Sequence, residues 1–333
     1  LSPDRIAQQG YKNRDESKLM ILNRSQGSII HKQFNDIIDC ITTDDFLVFN
    51  NSKVFKARIL AKKETGGSIE ILMFHYLENK KFQCLYHCSK RPKANSYLIL
   101  PEHQKTFAQI LIVHEGELTI QFLEHDPFEF AEKYGHVPLP HYIKRSDSID
   151  DTVNYQTVYA KNIGSVAAPT AGFHFSQHLL NRLKEKKIPL FFITLHVGPG
   201  TFIPIRTDNI YDHTMHAEYV SIDHDTAESI NLLKQKGKNL ISVGTTTVRA
   251  LESSALKNFG KLCAEDYCTD IFIYPGFRFQ ITDKLITNFH LPCSSLLLLV
   301  SAFAGRQAIL NAYETAKKNH YMFYSYGDAM FVT

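Results

Sequence analysis

The sequence predicts a mixed α/β protein. A discontinuous larger domain, residues 1–57 plus 150–333, carries an inserted small antiparallel β-barrel domain at residues 58–149. Two observations lead there. Between Arg58 and Leu123 the apolar residues fall in short β-rich runs with no helical period, namely Ser68–Phe74, Lys81–Cys88, Tyr97–Leu100, Phe107–Val113 and Glu117–Leu123. Beyond Tyr155 the texture changes to strands alternating with amphipathic helices, the pattern of a sheet covered by helices. A length of 333 residues agrees with two domains at roughly 100–200 residues each.

The elements follow in order. Phe46–Asn50 is an apolar run that ends in Asn50-Asn51, and it is expected to join the C-terminal sheet. Five or six short strands suit a closed barrel, and Glu115-Gly116 marks the hairpin between the last two. Ser176 is placed to cap a helix that runs to Lys187. Pro189–Val197 and Asn239–Gly244 read as buried strands. Asp225–Lys236 reads as a helix stopped by Gly237, and Thr246–Lys257, Ser294–Ala304 and Arg306–Lys318 complete the helical set. No period of 20–50 residues recurs, which excludes solenoids and propellers.

Composition narrows the function classes. With 44% hydrophobic residues the chain can bury a core, and 37 basic against 34 acidic residues leave a net charge of +3 that selects no partner. Six irregularly spaced cysteines read as reduced thiols rather than as a disulfide scaffold. Cys84 and Cys88 bracket His87, but no compact second pair completes a zinc site. The start, Leu1-Ser2-Pro3-Asp4, has no signal-peptide character, and Leu296–Ala304 is about half of a membrane span, so the expectation is a cytoplasmic, non-membrane protein.

Six clusters carry possible chemistry. In His196-Val197-Gly198-Pro199-Gly200-Thr201-Phe202 the two glycines allow close approach to a ligand, or merely make a tight turn; Pro204 argues against a dinucleotide-binding helix. His213, His216 and Glu218 suit acid/base work or binding better than a metal. Gly244-Thr245-Thr246-Thr247 opens a helix whose start favours an anion. Arg249 on that helix can clamp a carboxylate or phosphate, or simply pair with Glu252 three residues on. Thr269-Asp270-Ile271-Phe272 puts an acid at the start of an apolar strand. Thr287-Asn288-Phe289-His290 and Tyr324-Ser325-Tyr326-Gly327-Asp328 place polar groups in turns, where each alone is more often structure than chemistry.

Together these runs resemble the S-adenosylmethionine:tRNA ribosyltransferase-isomerases of queuosine biosynthesis, in order and spacing. The matching stretches are Asn154–Ala160, Val166–Phe175, Thr194–Phe202, Met215–Glu218, Val243–Glu252, Thr269–Gly276, Thr287–Pro292 and Tyr324–Met330, with a weaker match over residues 44–58. The chain departs from the family at Lys53 (usually Arg), at Lys56 (often Pro), at Cys293-Ser294-Ser295 (more usually Lys or Gly, then Ser-Thr), and in having no tryptophan. The resemblance implies that S-adenosylmethionine is consumed as a substrate and that no metal or redox cofactor is needed. Its ribosyl part would pass to 7-aminomethyl-7-deazaguanine at the wobble position of tRNA, leaving epoxyqueuosine, adenine and methionine.

The site implied has His174, His216, Glu218, Asp270 and His290 as catalytic groups. His196, Gly198, Gly200, Thr201, Phe202, Thr246, Arg249, Glu252, Phe272, Asn288 and Asp328 would bind substrate in the same pocket, with base and acid unassigned among them. RNA phosphates would meet Lys53, Lys56, Arg58, Lys62, Lys63, Lys90, Arg91 or Lys93, or these are solvated strand edges. A monomer is expected. A metal-dependent hydrolase built on His213, His216, Glu218 and His290, and a non-catalytic RNA-binding protein, are the competing readings.

Overall fold

The computed structural model describes residues 2–202, 205, 207 and 209–333. In chain order the strands are β1 (Lys18–Leu22), β2 (Ile29–Gln33), β3 (Asp45–Asn50), β4 (Ser52–Val54), β5 (Arg58–Lys63), β6 (Ser68–Leu77), β7 (Lys81–His87), β8 (Tyr97–Leu100), β9 (Lys105–Val113), β10 (Glu117–Phe122), β11 (Asn162–Ser165), β12 (Leu190–Leu195), β13 (Glu218–Ile222), β14 (Asn239–Val243), β15 (Glu265–Thr269), β16 (Lys284–Asn288) and β17 (Ala329–Val332). The helices are α1 (Pro127–Tyr134), α2 (Asp151–Asn154), α3 (Gln177–Glu185), α4 (His224–Gln235), α5 (Thr245–Lys257), α6 (Ser295–Ala304) and α7 (Arg306–Lys318).

Nine strands form one sheet in the order β15-β13-β12-β3-β14-β16-β17-β1-β2. The central strands β12, β3, β14 and β16 are parallel, and every residue of β3 is buried. Strands covered on both faces have to be apolar throughout, and the Phe46–Phe49 run meets that need. Alternation then sorts the side chains. Leu47, Phe49, Ile241, Val243, Ile286 and Phe331 pack on one face beneath α3. Phe46, Val48 and Leu240, with Leu285, Met330 and Val332 further along, pack on the other face against α4 to α7.

Strands β5 to β10 close a six-stranded antiparallel barrel in the order β10-β7-β6-β5-β8-β9. Its inner face is apolar at every second residue, as in β10, and Phe130 of α1 stacks on Phe107 at 4.6 Å to fill one end. The same alternation buries Cys84 in that core and leaves His87 outside, so the Cys84–His87–Cys88 group does not converge. The barrel joins the sheet through β4, which pairs in parallel with β11.

One expectation changes here, and the sheet gains strands the sequence did not show. The Thr269–Ile273 stretch was expected to begin a strand, but pairing with β13 ends β15 at Thr269, so Asp270 follows a strand instead of starting one. The N-terminal hairpin β1–β2 and the final strand β17 also belong to the sheet, through β17–β1 pairing. Among the described residues no single helix is long and apolar enough to cross a membrane.

Candidate active site

The strand directions decide where the clusters go. β13 and β17 run antiparallel to their neighbours β12 and β16, whereas β15 runs antiparallel to β13. One edge of the sheet therefore collects Asn50 at the end of β3, His196 after β12, Glu218 at the start of β13, Thr269-Asp270 after β15, Gly244 after β14, Asn288 at the end of β16 and Asp328 before β17. This is the edge at the carboxyl ends of the parallel strands, where open α/β sheets bind ligands. Asn50 ties it together: its amide bonds the Leu195 carbonyl at 2.9 Å, accepts from the Leu195 N–H at 3.0 Å, and reaches the Thr246 hydroxyl at 3.3 Å.

Two cavities open along this edge, and they share no lining residue. The first, about 610 Å³, lies between the edge and the barrel. The sheet side supplies His196, Gly198, His216, Glu218 and Tyr219, and the barrel side supplies Phe74, Tyr76, Phe82, Gln83, Glu117 and Phe128. Behind its wall, Arg249 of α5 forms a buried ion pair with Glu218, Arg249 Nη1 meeting the outer carboxylate oxygen. The other Glu218 oxygen accepts from the Gly198 N–H at 3.0 Å. Arg249 also donates to the Ile271 carbonyl, while its Nη2 is buried without a partner. Both Glu218 oxygens are thus engaged, and among the described residues no three His, Cys, Asp or Glu side chains converge as a metal would require. His213 packs instead against Phe272, ring centroids 5.1 Å apart.

His196 lies between Tyr219, stacked at 5.5 Å and 16°, and Gly164. A Cβ at Gly164 would come within 2.7 Å of the imidazole, and its φ of 152° suits glycine. Burial pushes this histidine down to about 4, so the ring is neutral at pH 7. Gly200 plays the same part for His216, whose ring would be 2.8 Å from an added Cβ. Gly164→Ala is expected to displace His196 and lower kcat/KM by at least about tenfold, the low end of one positioned polar group. Steady-state kinetics beside a melting curve check this; unchanged kcat/KM would contradict it.

The second cavity, about 510 Å³, lies toward β16, β17 and the N-terminal segment, with His174, Phe173 and Tyr326 in its wall. His174 is buried. Its Nδ1 bonds the Ser17 hydroxyl at 2.7 Å, and its Nε2 accepts from the Asn288 amide at 3.1 Å. The Asn288 orientation is set by Thr170, which donates to its oxygen, and by the Tyr324 carbonyl. Asp328 is fully buried and accepts from the N–H groups of Lys18 and Met322 and from the Tyr11 hydroxyl, each at 2.7 Å. Burial raises its pKa above the ordinary carboxylate range.

The expected single pocket is thus divided. His196, Gly198, His216 and Glu218 line the barrel-side cavity, with Gly200 against His216 and Arg249 behind Glu218. His174 lines the other cavity, with Asn288 bonded to it from behind and Asp328 buried behind the lining residue Tyr11. His174 has both ring nitrogens bonded and cannot exchange a proton without breaking that network. His290 is buried against Thr287, 2.7 Å from its hydroxyl. Glu252 neither pairs with Arg249 nor faces a cavity: it accepts from the backbone N–H groups of Gln280, Ile281 and Thr282 and so anchors that loop. Asp270 is exposed, and Phe272 is half-buried beside His213. Thr201 lies in a 3₁₀ turn, Pro199–Phe202, which starts after Gly198 and contains Gly200, where no helix was expected. Pro204 and the Phe202 side chain lie outside the described residues.

The basic residues also sort themselves. Lys56 pairs with Glu132, Arg58 with Asp147, and Lys63 is buried on the Lys90 carbonyl, so these three are structural. Arg91 donates to the Val113 carbonyl, while Lys53, Lys62, Lys90 and Lys93 are exposed. Cys293 has φ 55°, a conformation that glycine adopts without strain. The aromatic and acidic barrel residues of the first cavity, and Arg14 and Arg145 of the second, had no signal in the sequence that tied them to a site.

Comparison with known proteins agrees with this architecture. The profile of a family described as queuosine biosynthesis protein matches residues 1–332. A curated S-adenosylmethionine:tRNA ribosyltransferase-isomerase from Vesicomyosocius okutanii subsp. Calyptogena okutanii (strain HA) is 49% identical over 330 residues, which is 98% of this chain and 94% of that one. The crystal structure of S-adenosylmethionine tRNA ribosyltransferase from Thermotoga maritima superposes with a TM-score of 0.56 at 33% identity, covering 100% of this chain and 98% of that one. With a match over nearly its whole length and a sheet edge that gathers the family's motifs, this chain belongs to the queuosine biosynthesis protein family.

Proposed function

We propose that this chain is an S-adenosylmethionine:tRNA ribosyltransferase-isomerase, and that the cavity between barrel and sheet edge seats S-adenosylmethionine. One observation carries this reading. Among the described residues that cavity is lined by aromatic rings, three imidazoles, Glu117 and Glu218, and by no lysine or arginine; Arg249 behind the wall matches the charge of Glu218, which leaves Glu117 as the carboxylate without an ion pair. A sulfonium is a cation without hydrogen-bond donors, so it is stabilised by aromatic faces and nearby carboxylates and repelled by ammonium groups. The volume also falls in the usual range for small-molecule sites.

The acceptor would be 7-aminomethyl-7-deazaguanine in the tRNA anticodon, and the products epoxyqueuosine, adenine and methionine. The chemistry needs a base for the ribose carbon beside the sulfonium, a proton for departing adenine, and a neutral attacking amine. His216, half-buried at the cavity wall, is assigned to proton transfer. His196, kept neutral by burial, contributes a polar edge without adding positive charge near the sulfonium. The Arg249–Glu218 pair holds the wall that carries both. No resident cofactor enters this scheme.

Incubation with S-adenosylmethionine and tRNA bearing the deazaguanine precursor is expected to release free adenine, measured by chromatography. His216→Ala is expected to slow that release at least about tenfold. Full activity that disappears on chelation would favour the hydrolase reading instead.

A further inference from the structure

We infer that the second cavity on the same sheet edge binds a phosphate group of the tRNA. This rests on the function proposed above, which requires two substrates. The two cavities differ in charge. In the second, Lys12, Arg14 and Arg145 stand near Phe173, Ser325 and Tyr326, and Asp150 and Asp151 line it as well. Arg145 is neutralised: both of its terminal nitrogens bond the Asp151 carboxylate at 2.7 Å. Arg14 is not. It donates to the carbonyls of Gln156 at 2.7 Å and Val153 at 3.2 Å and lies over the Phe173 ring at 5.6 Å, with no ion pair to a carboxylate among the described residues.

A guanidinium drawn largely out of water without a counter-charge is costly unless something anionic completes it. Burial accordingly lowers its pKa, and the charge in turn helps to keep the neighbouring His174 neutral. Lys12 is exposed at the mouth and has no ion pair among the described residues. Of the wall serines, Ser146 is exposed and can add a hydroxyl donor, whereas Ser148 donates to Asp151 and Ser325 pairs with Tyr142. Phosphodiesters are read by such sets of guanidinium, ammonium and hydroxyl groups. The carboxylate of S-adenosylmethionine is the other anion in the reaction, but its sulfonium fits the acidic and aromatic cavity. The shared sheet edge then places the nucleotide chain beside the nucleoside donor.

The test uses the full chain and two probes. Binding of an anticodon stem–loop RNA is followed by fluorescence anisotropy across a salt series, and binding of S-adenosylmethionine by calorimetry. Lys12→Glu and Arg14→Ala are each expected to weaken RNA binding by about tenfold, and Arg14→Ala to reduce the slope of log K against log salt by about 0.7, the value for one phosphate contact to a single strand. Affinity for S-adenosylmethionine should stay within twofold. If Arg14→Ala does not fold, Lys12→Glu decides, because that side chain is exposed. Unchanged RNA affinity in the folded variants overturns the inference. So does a tenfold loss of S-adenosylmethionine affinity with RNA binding intact, which would give this cavity to the methionine carboxylate. A wild-type chain that binds neither probe would refute the proposed function itself, and this assignment with it.

Discussion

Arg249→Ala should lower the stability of this protein by about 3–5 kcal/mol and abolish most of its activity. The Arg249 and Glu218 side chains are 5% and 2% exposed, so neither charge has access to water. With the guanidinium gone, the Glu218 carboxylate keeps one hydrogen bond, from the Gly198 N–H, and is otherwise an isolated buried anion. It must then protonate, draw in water, or move, and each outcome disturbs the Gly198–Gly200 turn against which His216 rests. The double variant Glu218→Gln/Arg249→Met separates the two effects. Removing both charges should restore most of the stability while activity stays low, because the pair serves the site more than the fold. Chemical denaturation and turnover measured on the same preparations check this. A stable, fully active Arg249→Ala would contradict the account of the cavity wall.

The second large effect is acid sensitivity. Burial holds His174 and His290 near a pKa of about 3, with the Arg14 charge adding to the shift at His174. In the unfolded chain both titrate near about 6.5. A depressed folded-state value means that the unfolded state takes up protons first as the pH falls. Stability is therefore fully present above about pH 6.5 and is lost progressively below it, until the folded-state values are reached. Each histidine contributes about 1.4 kcal/mol per pH unit in that window, so these two and His196, held at about 4, together remove roughly 4 kcal/mol per unit, against a total of about 5–15 kcal/mol for a typical protein. The raised carboxyl groups of Asp328 and Glu252 take up protons in the folded state above the ordinary carboxyl range and so offset part of this loss as the pH falls. Denaturation midpoints at pH 7, 6, 5 and 4.5 should fall steeply below 6.5, and His290→Gln should reduce the slope by about a third. A flat profile would mean that these rings are not buried neutral.

What could be read from the sequence, and what could not, follows from which contacts are local. The barrel was legible because hairpins such as the one at Gly116 link strands that are neighbours in the chain, and each strand shows its own alternation. The return of Phe46–Asn50 to the sheet was legible because a strand apolar on both sides has to be covered on both sides. Several site residues were legible because the clusters sit at strand ends, where hydrophobic pattern gives way to polar and glycine-rich turns. The partner of Arg249 was not. Helical spacing points to Glu252, and only the folding of β13 beside α5 brings Glu218 within reach. Asp270 likewise looked like the start of a strand, because the pairing that ends β15 comes from β13, nearly fifty residues earlier. The division into two cavities was also hidden. The second is assembled from Lys12 and Arg14 near the start of the chain and Ser325 and Tyr326 near its end, a juxtaposition that no local pattern records.

The central claim is that one sheet edge brings together S-adenosylmethionine and the anticodon base and moves the ribosyl group between them. Mass analysis of the wobble nucleoside, after incubation with S-adenosylmethionine carrying heavy carbon throughout its ribose, tests this directly. The account predicts a nucleoside heavier by an epoxycyclopentanediol unit that contains all five labelled carbons, formed together with unlabelled adenine. A nucleoside that gains only a methyl group, or no change in the tRNA while S-adenosylmethionine is cleaved, would contradict it.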